Sequence, residues 1–207
     1  MARRSAADAA ETRRTLIDVG TRLFAEQGYA AVTAEALVAE AGVTRGALYH
    51  HFPDGKPGLF EAVYREVLQR LDDAVSEAGL RAAEDTGDLW AAFWAGTDRY
   101  LELCLDPTIS RIALFEGPAA LGWETWEAID LEFSVAQFAG IVELLIAVGE
   151  IADQPVEPLA KVLVAAYNQA GRQIATADDP ATAEADYRLV LRTLVAGLAG
   201  GSTAVAG

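Results

Sequence analysis

The residues best equipped for chemistry in this chain are few, and most of them rule reactions out. His50 and His51 are adjacent, and imidazole is the commonest metal ligand, but neighbours on a helix point about 100° apart and no Cys, His or carboxylate completes a set. No metal site is expected. Cys104 is the single cysteine; one thiol closes no disulfide within the chain and builds no multi-cysteine zinc site, so it reads as a small core residue. A glycine-rich phosphate loop, a Ser-His-Asp order and a helix-borne His-Glu metal pair are all missing from the sequence. The expectation is a protein that is not an enzyme and takes no cofactor.

What remains is binding chemistry. Trp90, Phe93, Trp94, Thr97, Tyr100, Leu101 and Cys104 fall on one broad helical face, and Phe115, Trp123, Trp126, Phe133 and Phe138 follow. Such a series builds either ordinary core or the wall of an apolar small-molecule pocket with a few polar anchors. Tyr167, Asn168, Gln169, Arg172 and Gln173 form a polar band between apolar turns, and three roles suit it: anchoring a ligand, pairing across a dimer, or facing water. Arg45 carries a fork of donors that fits phosphate or a guanine edge; alone it is an ordinary surface arginine, so its neighbours decide its meaning. Acidic clusters such as Glu84, Asp85 and Asp88 stand beside turns and helix starts, where caps and solvated faces account for them.

The elements that position these residues are helical. The 207 residues are 52% hydrophobic, enough for a sizeable core in one large or two small domains. Charges such as Glu143 and Glu150 interrupt every apolar run well short of the roughly 18 residues of a membrane span. Arg3 and Arg4 are followed by Asp8 and Glu11 rather than an apolar segment, so no signal peptide is read and a cytoplasmic protein is expected. The net charge of −15 argues at first against nucleic acid. Its distribution is uneven: residues 1–56 hold seven basic and seven acidic side chains, so the remainder carries the whole excess. A locally neutral, arginine-bearing head on an acidic body permits an approach to phosphate through the head.

Leu16, Ile17, Gly20, Leu23 and Phe24 recur at helical spacing within a first helix over 6–27, with Gly28 as its stop. Thr33 is placed to cap a short second helix with Leu37, Val38 and Ala41 inward, ended by Gly42. Thr44 is placed to cap a third, with Ala47, Leu48 and Phe52 inward and Arg45, Tyr49 and His50 outside. Two short helices joined by a tight glycine turn make a helix-turn-helix over 33–51. After the Pro53–Gly58 break a long fourth helix begins, and further helices are expected over 88–105, 107–116, 124–149, 157–177 and 181–199, separated by Pro107, Gly117-Pro118, Pro155, Pro158 and Pro180.

Leu23-Phe24, Gly28-Tyr29, Thr33, Ala41-Gly42-Val43-Thr44, Gly46-Ala47-Leu48-Tyr49, His51-Phe52, Lys56 and Leu59-Phe60 together resemble the signature of the TetR (tetracycline-repressor) family of bacterial transcriptional regulators, spread over about 40 residues in the first third of the chain. The resemblance implies that the third helix enters the major groove of double-stranded DNA. Arg45 then becomes the principal base reader, Gly46 lets the helix come close, and Thr44 or Ala47 meets a thymine methyl or a phosphate. Tyr49, His50, His51 and Lys56, with Thr33 at the start of the second helix, face the sugar-phosphate backbone; Tyr49 also suits packing. Two departures stand out. Ala34 and Glu35 follow Thr33 where many relatives have a second hydroxyl or a base, and a carboxylate there cannot donate to phosphate but can accept from cytosine N4. The loop before Lys56 also has an extra residue.

The architecture expected is all-α: an N-terminal three-helix helix-turn-helix DNA-binding domain over 1–56, a larger helical ligand-binding and dimerisation domain over 57–200, and a flexible tail over 201–207. The resemblance further implies a homodimer through the last two helices, using Leu159, Leu163, Ala166, Ala170, Leu189, Leu191, Leu194, Val195 and Leu198 for core and interface. It implies an operator with palindromic half-sites and an unknown small apolar or amphipathic effector. The candidate effector contacts are Trp90, Phe93, Trp94, Thr97, Tyr100, Phe115, Trp123, Trp126, Phe133, Asn168 and Arg172. The fourth helix is the expected lever, with Tyr64 and Arg65 as places to test it. The alternative is a small-molecule-binding helical protein whose DNA binding has weakened or been lost, as the acidity and Glu35 would suit.

Overall fold

The computed structural model describes residues 2–200, and no strand occurs among them. Four helices open the chain: α1 Ala2–Gln27, α2 Ala34–Glu40, α3 Arg45–His51 and α4 Lys56–Thr86. Then come α5 Leu89–Leu103 and two compound helices, α6 over 107–121 and α7 over 123–147, with wide π turns at Ser110–Glu116 and Leu131–Val135. Val156–Thr176 (α8) and Pro180–Gly200 (α9) complete the set. The tail expected over 201–207 lies outside the described residues.

The helices begin and end largely where local signals put them. Gly28 takes φ 80° after α1 and Gly42 takes φ 65° after α2, left-handed conformations that a side chain would resist. One expected break does not form: Gly117-Pro118 lies inside α6. Pro118 sits in the first turn after the π segment, where its missing N–H and fixed φ do no harm.

By its contacts the chain divides into two compact units, and the division differs from the boundary expected at 56/57. The first unit takes in the chain up to Val67 together with Pro107–Glu127; the second takes in Leu68–Asp106 together with the chain from Ala128 onward. The reason lies in burial. The opening turns of α4 bury Leu59, Phe60, Val63, Tyr64 and Val67, as α1 to α3 bury Leu16, Phe24, Leu37 and Leu48, and Leu59 and Val63 lie against Gly20 of α1. In the middle of α6, Ile112, Ala113 and Leu114 are buried as well. Rings of Phe24, Tyr29 and Phe60 meet edge to face, Phe24–Phe60 at 5.1 Å and Tyr29–Phe60 at 4.9 Å between centroids.

The second unit has its own core: Phe93, Leu101, Val142, Leu145, Ile151, Leu163, Tyr167, Ala170, Ile174, Leu191 and Val195. On α8 the buried positions Ala160, Leu163, Val164, Tyr167, Ala170, Gly171 and Ile174 follow helical spacing and form one stripe. The apolar residues expected to serve core and interface part company on α9. Leu191 and Val195 are buried, whereas Leu189 and Leu194 stand exposed at 66% and 46%, with Val190, outside the expected set, exposed at 57% beside them.

Candidate nucleic-acid interface and effector cavity

In the first unit, α2 and α3 are each started by a threonine hydroxyl that accepts a backbone N–H: Thr33 from Ala36 at 3.1 Å and Thr44 from Ala47 at 3.2 Å. These caps satisfy donors that a helix start otherwise leaves open. Val43 N–H returns to Val38 O at 3.0 Å and closes the turn. Leu37, Leu48 and Phe52 anchor the pair in the core. That anchoring fixes which face of α3 looks out: Arg45, Gly46, Tyr49 and His50 are exposed, and Ala47 and His51 half-buried. Gly46 is not demanded by packing, since an added Cβ would meet nothing closer than Thr44 Oγ1 at 3.7 Å. Its smallness counts only toward whatever approaches from outside.

Arg45 is flanked on both sides. One guanidinium nitrogen lies 3.3 Å from Glu35 Oε1 on α2, and its centre stands 5.7 Å from the Tyr49 ring centroid. The Tyr49 ring rests against Gly55, where a Cβ would come within 2.9 Å of it. Tyr49 is therefore both packed and presented, the two roles the sequence left open. His50 and His51 meet edge to face at 5.1 Å. Partial burial, then the neighbouring charges of His50 and Arg13, hold His51 below its ordinary value of 6.5, so near neutral pH it is an uncharged imidazole.

Lys56 takes another position than the backbone contact expected of it. Its ammonium donates to Tyr29 O at 3.0 Å and Val32 O at 2.9 Å, and sits 4.0 Å from the Tyr29 ring centroid. The charge is turned inward, holding the loop between α1 and α2. Nothing in the local sequence announces this, because the loop residues it grips lie far behind it in the chain.

The second unit contains a cavity of about 350 Å³. Val75, Ser76, Gly79, Leu80 and Ala83 of α4 line it with Leu89, Ala92, Phe93, Gly96, Thr97 and Tyr100, and Gln137, Phe138, Ile141, Leu144 and Tyr167 complete it. No side chain in this lining is charged. Thr97 Oγ1 and Tyr167 OH share a buried hydrogen bond of 2.7 Å, Tyr100 OH donates to Asn168 Oδ1 at 3.1 Å, and Gln137 Nε2 donates to Ser76 Oγ at 3.1 Å and Asp72 O at 3.3 Å. Burial pushes the Tyr167 phenol up to about 12 and the Tyr100 phenol well above its usual value. Both stay protonated around neutrality.

Of the expected effector contacts, Phe93, Thr97 and Tyr100 line this cavity and the rest do not. Trp90 stacks on Trp94 and donates through Nε1 to Glu150 at 3.1 Å; Trp94 lies under the Arg192 guanidinium. Asn168 acts from behind, as the acceptor for Tyr100, and Arg172 donates to Gln169 Oε1 at 3.1 Å. Phe133 is half-buried on the π turn of α7. Phe115, Trp123 and Trp126 belong to the first unit, where Trp126 Nε1 donates to Tyr64 OH at 2.9 Å. Phe138 of the aromatic series and Tyr167 of the polar band line it too, and the residues missed are Val75, Ser76, Gly79, Leu80 and Ala83 of α4, Leu89, Ala92 and Gly96 of α5, and Gln137, Ile141 and Leu144. A signal existed in the small pairs Gly79/Ala83 and Ala92/Gly96, each one helical turn apart, which leave space where large side chains would fill it.

Known proteins share both units. Residues 16–63 match the family described as bacterial regulatory proteins of the tetR family, and residues 90–198 match the tetracyclin repressor-like C-terminal domain. The transposon Tn10 TetC protein of Escherichia coli is 32% identical over 135 residues, 65% of this chain and 66% of its own. The regulator AcrR of Shigella flexneri is 44% identical over 64 residues, 31% of this chain and only 29% of its own length. A crystal structure of a TetR-family transcriptional regulator from Pectobacterium atrosepticum is 31% identical, with a TM-score of 0.74 over 93% of this chain and 96% of that one. Such relatives regulate transcription rather than catalyse reactions. With a capped helix-turn-helix in one unit, a cavity in the other, and matches to both halves, the chain belongs to the TetR family of transcriptional regulators.

Proposed function

We propose that the protein is a ligand-responsive repressor that acts in the cytoplasm, binds a palindromic operator as a homodimer through α8 and α9, and is released by a small neutral effector. The observation that carries the DNA half is the outward face of α3, where Arg45, Tyr49 and His50 surround a glycine that the fold itself does not need. Arg45 supplies the donor fork for guanine O6 and N7, and the capped N-termini of α2 and α3 offer amides to phosphate. Thr33, Thr44, Ala47, Tyr49, His50 and His51 contact the backbone or a thymine methyl around that reader. Lys56 supports this surface from inside the unit.

The effector half rests on the cavity's chemistry. An ion entering a lining without charge would lose its hydration uncompensated. The occupant is therefore uncharged and mostly apolar, with one polar end toward Gln137 and the protonated Tyr100 phenol. Release requires that the effector favour one of two conformations over the other. Helix α4 contributes to both units, which makes it one covalent path for that difference, and Tyr64, hydrogen-bonded to Trp126, is a position to test along it.

The test is fluorescence anisotropy over a salt series, comparing DNA from the region upstream of the protein's own gene with a scrambled duplex, for wild type and Arg45→Ala. Specific binding that weakens with salt and is lost in the variant supports the reading. A second reading, a small-molecule-binding protein whose DNA affinity has been lost, is favoured by the Glu35–Arg45 pairing and the net charge of −15. It predicts equal, weak binding of both duplexes.

A further inference from the structure

We propose that Glu35 is a specificity-determining residue of the DNA-reading surface: it positions the Arg45 fork and admits, beside the guanine that Arg45 reads, only a cytosine or adenine on the strand it faces, whose exocyclic amine lies in the major groove. This rests on the reading of α3 as the recognition helix. The pair links the first turn of α2 to the first residue of α3, with the carboxylate 3.3 Å from the guanidinium and the two side chains 69% and 65% exposed. An ion pair so open to water adds little to folding, and both helix starts are already capped by Thr33 and Thr44. Its weight therefore falls on what approaches from solvent.

Two consequences follow from the chemistry of the carboxylate. With Glu35 on one flank and the Tyr49 ring on the other, the Arg45 side chain samples fewer rotamers before binding, so less freedom is lost when it meets a guanine. The carboxylate is also an acceptor only. It repels phosphate and has nothing to offer guanine O6 and N7 or thymine O4, but it accepts from cytosine N4 or adenine N6. On a wrong duplex Glu35 thus enters the groove with no donor to meet it on the base, weakening binding; on the right one it adds a hydrogen bond. The same group that lowers indiscriminate affinity sharpens the choice of base.

The experiment uses the full chain. Duplexes of about 30 base pairs are selected from a random library by the wild-type protein, and dissociation constants are measured for the selected duplex, a shuffled duplex and a series of single base-pair changes. Wild type, Glu35→Gln, Glu35→Asp, Arg45→Ala and the double variant Glu35→Gln/Arg45→Ala are compared, with circular dichroism and thermal melts to show that each is folded. Glu35→Gln is expected to bind the shuffled duplex several-fold more tightly and to lose about tenfold of discrimination at one amine-bearing position. Glu35→Asp, which remains an acceptor only, whereas glutamine adds an amide donor that guanine and thymine accept, should restore that base preference at least in part. The double variant should lose discrimination at both positions, the guanine read by Arg45 and the neighbouring base read by Glu35. If Glu35→Gln keeps the wild-type base profile while Arg45→Ala loses it, the role given to Glu35 is overturned and the reading of α3 stands. If selection yields no preferred sequence, or Arg45→Ala discriminates as wild type does, the reading of α3 fails and this inference fails with it.

Discussion

Lys56 illustrates how far a side chain's role can sit from its sequence neighbourhood. A lysine just after a helix-turn-helix reads naturally as a phosphate contact, yet its ammonium is held by Tyr29 O, Val32 O and the Tyr29 ring. The two roles predict different measurements. A lysine on phosphate, replaced by alanine, reduces the slope of log affinity against log salt by about one while leaving the melting temperature alone. Lys56→Ala should instead lower the melting temperature and keep the slope, because two loop carbonyls lose a charged donor. The caps Thr33 and Thr44, by contrast, were legible residue by residue, since each acts on an N–H three positions ahead. The outward set on α3 was legible too, because Leu48 and Phe52 had to face inward. The Glu35–Arg45 pairing was not, because it depends on the angle at which the turn sets α2 against α3.

At the scale of elements, helix positions could be read from the sequence and the cavity only in part. Apolar periodicity marks which face of α5 turns inward, and Phe93, Thr97 and Tyr100 fall on it. It cannot separate a ring that borders a void from one that fills it, and Trp90 and Trp94 on the same helix are taken up by each other, by Glu150 and by Arg192. Nor does it foresee π turns, which shift the face presented by α6 and α7 partway along. The polar groups at the cavity are bound to one another, and this makes their worth testable. Tyr167→Phe leaves the Thr97 hydroxyl without its buried 2.7 Å partner and should cost about 1–3 kcal/mol in chemical denaturation. Thr97→Val with Tyr167→Phe should cost less than the sum of the two single changes, because no orphaned hydroxyl is left behind.

For the whole molecule, the exposed apolar residues of α9 bear on the proposed homodimer. Leu189, Val190 and Leu194 show 66%, 57% and 46% of their surface, while Leu191 and Val195 on the same helix are buried. A pairing of two copies would cover the first set without disturbing the second. Leu189→Glu with Leu194→Glu should therefore leave the fold intact and shift the protein to monomer in sedimentation. Affinity for a two-half-site duplex should fall much further than affinity for one half-site, since the link between two readers is lost. The sequence offered these leucines as one mixed list of core and interface; only the packing of α9 sorts them.

One buried atom can also keep time. Cys104 has no exposed surface, and burial pushes its thiol up to about 12, so in the closed protein almost no thiolate is available to a reagent. It is the single cysteine in the chain, and modification must wait for the second unit to open. The rate of labelling by an aromatic disulfide then clocks that opening. A compound that occupies the cavity should slow the clock in proportion to one plus its concentration over its dissociation constant, so an unlabelled chain can be used to search for the effector before any operator is known.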